Sequence, residues 1–228
     1  MLISGIIYNV FMEKARESFN RGDYKGTIKQ LSNFEKMGYD RYESLMLLGY
    51  SYYYLGKGRE AVKCFSGALE VSPGSRDAWL FLGKSYNMIG KKREAVAAFN
   101  EALKIDPDYK EALINLGVTL AELGDREEAE KSFRRVTEKF PDEKRGWYNL
   151  GLVNFYKNNY QMSEECFKRA LELDPDFIEA MYNLAAVYCV TGNDELFSEY
   201  VERIRAKNTG LAKTMINACN KVRRRIRR

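Results

Sequence analysis

A fixed period of 34 residues constrains this chain more than any other feature of its sequence. Gly22, Gly56, Gly90, Gly124 and Gly192 stand in step with it. The one remaining place in the series holds Asn158, the other residue type that accepts a left-handed backbone. A second series in the same step is always small: Ala15, Gly49, Gly83, Gly117, Gly151 and Ala185. A third, Pro73, Pro107, Pro141 and Pro175, cannot continue a helix. Self-similarity at this spacing belongs to stacked helix pairs, because each unit is too small to bury its own apolar face without a neighbour.

The three series order each unit. The Gly or Asn ends a first helix, the small residue sits where two helices cross closely, and the Pro closes the pair. Each helix is expected to run for about fourteen residues, so short that stacking must stabilise it. Asp40 with Glu43, Asp108 with Glu111, and Asp176 with Glu179 have the spacing of an N-cap followed by a reciprocating carboxylate, and predict helix starts. In this register the units run 8–41, 42–75, 76–109, 110–143, 144–177 and 178–211. Beyond Gly210, the apolar residues Leu211, Met215, Cys219, Val222 and Ile226 recur in steps of about four. Residues 212–228 are therefore expected to form a helix that caps the last unit and ends in a basic tail.

The clearest copy, Arg76–Tyr109, carries Trp79, Leu82, Gly83, Tyr86, Ala95, Phe99, Ala102 and Pro107. This pattern resembles the tetratricopeptide repeat, in six tandem copies that take in nearly the whole chain. The resemblance implies an all-α fold, a right-handed superhelical solenoid of antiparallel helix pairs. Departures gather at the ends. Phe11, Lys14 and Tyr39 replace the Trp, Leu and Pro of the first repeat, and Phe197 and Thr209 depart in the last, as befits repeats that face water on one side. Within the array, Asn154 stands in a Tyr position and Ser163 in an Ala position, which bears on the packing of the fifth repeat.

The net charge of +5 is localised. Lys221, Arg223, Arg224, Arg225, Arg227 and Arg228 crowd the C-terminus, and the rest of the chain is near neutral. Cys64, Cys166, Cys189 and Cys219 lie far apart in no metal-ligand spacing, so free thiols in a reducing compartment are expected. With no basic leader and no apolar run near the roughly 18 residues that span a bilayer, the chain reads as soluble and cytoplasmic.

Catalytic chemistry is hard to place. The chain has no histidine, which removes the commonest general base and metal ligand. Gly83-Lys84-Ser85 imitates the end of a phosphate-binding loop, but Ala78 takes the required first Gly and the tripeptide falls inside a predicted helix. Neither an enzyme activity nor a metal or cofactor is expected.

Function is expected on the face of the first helices opposite their packing stripe. A water-facing stripe should be charged, yet position 5 of the repeats reads Met12, Met46, Leu80, Ile114, Tyr148 and Tyr182. Position 12 includes Phe19, Tyr53 and Phe155. A helix apolar on both sides is interior to something, so first helices are expected to line the inner side of the superhelix. Stacking of neighbouring first helices accounts for most of these positions. Tyr50, Tyr54, Tyr148, Phe155, Tyr156 and Tyr182 exceed that need, and rigid aromatics with a polar tip suit an interaction groove.

Position 6 adds a ladder of carboxamides, Asn115, Asn149 and Asn183, able to donate to and accept from a peptide backbone. In the repeat family an inner-face Asn at this place contacts ligand backbone, and the resemblance implies that role here. Lys84, Asn115 and Arg145 partly echo the family's grip on a terminal carboxylate, but Leu80 and Asn149 stand where further basic residues are needed. Glu43, Asp77, Glu111 and Glu179 also make the groove acidic. An apolar or mildly basic ligand segment is the better expectation.

The leading expectation is thus a scaffold or adaptor binding a partner peptide or helix in a concave groove. The alternatives are docking of the basic tail on nucleic acid or an anionic membrane, which would be non-specific and salt-sensitive, and self-association.

Overall fold

The computed structural model describes residues 2–32 and 41–226. Among them are α-helices and turns, with no strand. In chain order the helices are α1 (Leu2–Asn20), α2 (Tyr24–Leu31), α3 (Arg41–Tyr54), α4 (Gly58–Val71), α5 (Arg76–Met88), α6 (Lys92–Ile105), α7 (Lys110–Leu123), α8 (Arg126–Lys139), α9 (Lys144–Tyr156), α10 (Tyr160–Leu173), α11 (Ile178–Thr191), α12 (Asp194–Lys207) and α13 (Thr209–Ile226). Two compact units emerge, Met1–Thr119 and Leu120–Arg228.

In the first unit α1 packs on α2, α3 on α4 and α5 on α6, with α2 against α3 and α4 against α5. In the second, α9 packs on α10, α11 on α12, α8 against α9, α10 against α11, and α13 against both α11 and α12. Helices of 13 or 14 residues match the expected length. α1 is longer, at 19 residues, and begins upstream of the expected boundary at residue 8. Tyr39 and Asp40 lie outside the described residues.

Every turn of the periodic series is left-handed: Gly22, Gly56, Gly90, Gly124 and Gly192 have positive φ, and so does Asn158, at 60°. Asn158 is the one non-glycine among the described residues in this region. A Cβ costs roughly 1 kcal/mol or more there unless a short polar side chain offsets it. Asn158→Ala is therefore expected to lower stability by about 1 kcal/mol and Asn158→Gly to leave it nearly unchanged, as read by urea unfolding.

The small series sits under aromatic rings. Gly49 lies against Phe65, Gly83 against Phe99 and Gly151 against Phe167, and all three rings are fully buried. The core of the first unit gathers Leu45, Met46, Ala61, Phe65, Ala68, Ala78, Leu82 and Ala98, and that of the second gathers Phe167, Ala170, Met181, Leu184, Tyr188, Val201 and Ile204. The periodic tryptophans close the loops before their helices: Trp79 Nε1 donates to the Pro73 carbonyl and Trp147 Nε1 to that of Pro141, each at 2.9 Å.

The fifth repeat, which Asn154 and Ser163 put in question, is fully satisfied. Asn154 is buried, donates to the Leu150 carbonyl at 2.9 Å and accepts from Asn159 Nδ2 at 3.1 Å. Ser163 Oγ donates across the helix pair to the Gly151 carbonyl at 2.9 Å. Each buried polar group thus has the partner it needs.

Two sequence expectations are corrected. Asp108 and Asp176 do not begin helices: α7 starts at Lys110, and α11 starts at Ile178 with Phe177 as its cap residue. Asp106 and Asp174, each just before a proline, organise these links by accepting the backbone N–H of Asp108 at 3.1 Å and of Asp176 at 3.0 Å. The same carboxylates pair with Arg76 and Lys144, and the bond from Lys144 holds the Asp174 carboxyl below the usual carboxylate range. An Asp-Pro link makes an Asx turn before the helix, which displaces the cap role from the following Asp.

The second correction concerns the cysteines. Cys189 and Cys219 are joined in a disulfide between α11 and α13. Cys64 and Cys166 are buried, and burial pushes the Cys166 thiol up to about 12. Among the described residues no helix is long and apolar enough to cross a membrane.

Candidate functional site

Position 5 divides into two classes. Met12, Met46, Leu80 and Ile114 are buried. Tyr148 and Tyr182 remain half-buried.

In the first unit the candidate aromatics form a continuous set. Tyr50 meets the Phe81 ring edge-on at 4.6 Å between centroids, Phe65 at 5.4 Å and Phe19 at 6.2 Å. Tyr53 meets Phe81 at 5.5 Å, and Tyr54 stacks on Tyr24 at 5.1 Å. Phe19, Tyr24 and Phe81, none of them among the groove candidates from the sequence, complete this set. Burial raises the pKa of Tyr50, as does Asp77 nearby, and burial with the neighbouring Tyr54 raises that of Tyr53. Both phenols stay neutral donors.

Lys84 Nζ lies 4.5 Å from the Phe81 ring centre and 5.4 Å from that of Tyr53, a cation–π arrangement that ties it to the aromatic set. Asn115 Nδ2 donates back to the Glu111 carbonyl of its own helix at 2.6 Å. The acidic lining is partly engaged: Arg16 Nε donates to Glu43 at 2.7 Å and balances its charge, and the Tyr109 hydroxyl donates to Asp77 at 2.5 Å, which orients that carboxylate without neutralising it.

In the second unit Tyr148 faces Phe177 at 4.9 Å and Phe167 at 5.9 Å, so its ring is part of the core margin. Its hydroxyl accepts from Asn183 Nδ2 at 3.1 Å. Burial and the Glu179 carboxylate raise the phenol's pKa, while the bond from Asn183 opposes them. Asn183 also donates to the Glu179 carbonyl at 2.9 Å, so both amide N–H bonds are used within the protein. Among the described residues Asn149 hydrogen-bonds to nothing, although it is half-buried on the same helix as Tyr148. Arg145, one turn earlier on α9, is exposed.

Phe155 meets Tyr156 at 5.9 Å and Tyr160 at 5.7 Å. Tyr156 is 64% exposed and Tyr54 53%, which makes them the most accessible aromatics among the large exposed apolar residues described. Tyr182 packs half-buried against the core of the second unit.

The basic tail is not uniformly free. Arg223 pairs with Asp194, sits 5.4 Å over the Phe197 ring and donates to the Cys189 carbonyl at 3.4 Å. Lys221 and Arg224 are exposed, and the side chains of Arg225, Arg227 and Arg228 lie outside the described residues. Among the described residues no group of three or more His, Cys, Asp or Glu is placed to hold a metal ion.

No curated protein sequence matches the chain. Its fold is similar to that of PilW, described as a widely conserved type IV pilus biogenesis factor, with TM-score 0.78 and 19% identity over 92% of this chain and 98% of that one. It is also similar to MamA of Desulfovibrio magneticus RS-1, with TM-score 0.68 and 21% identity over 74% and 98% of the two chains. A third likeness is to YrrB, described as a TPR protein with an unusual peptide-binding site, with TM-score 0.67 and 21% identity over 76% and 89%. Tetratricopeptide-repeat family models match residues 46–110, 90–150, 145–177 and 166–196. Taken with the periodic turns and the helix pairs, these overlapping matches place the chain in the tetratricopeptide-repeat family.

Proposed function

We propose that the chain is a protein-interaction adaptor that holds a short segment of a partner protein against the exposed side of its first helices. The observation that carries this reading is Asn149, a half-buried carboxamide with no hydrogen-bond partner among the described residues. On the same helix stands Tyr148, bound to Asn183 of α11, and α9 and α11 are in contact. A carboxamide in such a place holds an extended backbone by one donor and one acceptor, while the neighbouring phenol and the Asn183 oxygen add polar contacts. The peptide-binding site in the description of YrrB agrees with the use of this fold for a peptide ligand. The exposed Arg145 and the Glu179 carboxylate set charges of opposite sign beside the site, which favours register over bulk attraction.

Tyr148 packs against the core, so its removal would confuse binding with stability. Tyr148→Phe combined with Asn149→Ala keeps the ring and removes both polar groups. Peptides selected from a random display library on the purified chain are expected to bind this double variant roughly tenfold more weakly, with helicity unchanged and stability lowered by no more than about 1 kcal/mol from the lost Asn183–Tyr148 bond. Equal binding by the variant would overturn the reading.

A further inference from the structure

We infer that Cys189 and Cys219 form a redox-operated fastener of α13, and that Arg223 controls access to it. The two sulfurs bridge 30 residues of chain and join the end of α11 to the middle of α13. Both residues are nearly inaccessible, at 4% and 2% exposure. A thiolate must reach a disulfide sulfur directly to displace its partner, so a reductant acts only when α13 lifts.

Arg223 stands one helical turn beyond Cys219, on the same side of α13. Its guanidinium joins three separate groups: the Asp194 carboxylate and the Phe197 ring on α12, and the carbonyl of Cys189 itself on α11. It therefore closes the C-terminal half of α13 over the bond. Towards the N-terminal half, Ala212 and Met215 are buried in the core of the second unit. The bond is held between an apolar anchor on one side and a charged latch on the other.

The chemistry is ordinary thiol–disulfide exchange. On closing, one cysteine thiolate attacks a sulfur of a small disulfide such as glutathione disulfide and expels a thiolate. The second cysteine thiolate then attacks the mixed disulfide and expels another. The protein loses two electrons and two protons, and the oxidant becomes two thiols. Reduction by a dithiol reverses both steps and leaves the dithiol as a cyclic disulfide.

The test uses the full oxidised chain and dithiothreitol, with released thiols alkylated and counted by mass. Arg223→Ala is expected to be reduced roughly tenfold faster than the native chain, and Arg223→Lys to fall between them. Lys221→Ala, an exposed cation on the same helix, is expected to leave the rate unchanged. Equal rates for native and Arg223→Ala protein, or equal acceleration by Lys221→Ala, would overturn the latch. Hydrogen exchange supplies a second readout: on reduction the amides of α13 are expected to exchange roughly a hundredfold faster while those of α9 and α10 hold their protection. Unchanged exchange in α13, or failure of glutathione disulfide to join these two cysteines, would overturn the fastener.

Discussion

Gly83→Val is expected to destabilise the first unit by about 3 kcal/mol, and Gly83→Ala by roughly 1 to 2 kcal/mol. A Cβ at Gly83 would stand 2.5 Å from Cε1 and 2.7 Å from Cδ1 of Phe99, inside any allowed contact. The ring is fully buried and cannot turn aside into solvent. Helix propensity alone favours Ala over Gly by about 1 kcal/mol, so the sign of the Ala substitution measures whether the clash wins. Gly74→Ala is the control, because a Cβ there meets nothing within 4 Å. Urea unfolding followed by circular dichroism gives the midpoints. Phe99→Leu in the Gly83→Ala background should recover part of the loss, a coupling of about 1 kcal/mol. Stabilisation by Gly83→Ala would show that the ring yields and would sink the argument.

The close crossing of helices at Gly83 is the kind of feature that periodicity makes legible. A small residue at one fixed place in each unit has few physical causes, and the same holds for the left-handed turns, Asn158 included. Features that depend on a single link were not legible. Two of the links read Asp-Pro-Asp, at 106–108 and 174–176, and the spacing to Glu111 and Glu179 pointed to the second aspartate of each as the helix start. In the structure neither aspartate starts the next helix: Asp106 and Asp174 accept backbone N–H groups inside the link, as an Asx turn across the proline, and the helices begin further on, at Lys110 and Ile178. Cys189 and Cys219 meet because α13 folds back along α11, and nothing in the repeat dictates the path of the chain after the last copy.

The candidate site was legible as a face but not as a set of available groups. Apolar residues at position 5 are buried at Met46, Leu80 and Ile114 and stay half-buried at Tyr148 and Tyr182, and the residue type alone hardly separates the two places. The three asparagines of position 6 look equivalent in the sequence. In the structure Asn183 has spent both N–H bonds, Asn115 has spent one, and Asn149 has spent none among the described residues. For Asn183 the difference arises from a neighbour two helices back along the chain, Tyr148, and so from packing rather than from pattern. Arg223 shows the same limit, since its place in a run of cations concealed a specific link to Asp194.

Truncating the chain after Asn208 is expected to destabilise the second unit by more than any single substitution in α13. Met215, 2% exposed, anchors the helix in the core, and Met215→Ala should cost about 3 kcal/mol. Cys219→Ser releases a cross-link that spans 30 residues, a loss of roughly 3 to 4 kcal/mol by loop entropy. Truncation removes both and uncovers Leu184, Tyr188 and Ile204, all of which belong to the same core. Against a typical stability of about 5 to 15 kcal/mol, the shortened second unit should unfold at a much lower urea concentration than the first. Removing only the residues after Arg224 separates the cap from its terminal charges, because Met215, the disulfide and the Arg223 latch all remain. That shorter deletion is expected to leave the midpoint unchanged. If truncation after Asn208 did the same, α13 would not be a cap, and the burial of Met215 and Cys219 would stabilise only the helix that carries them.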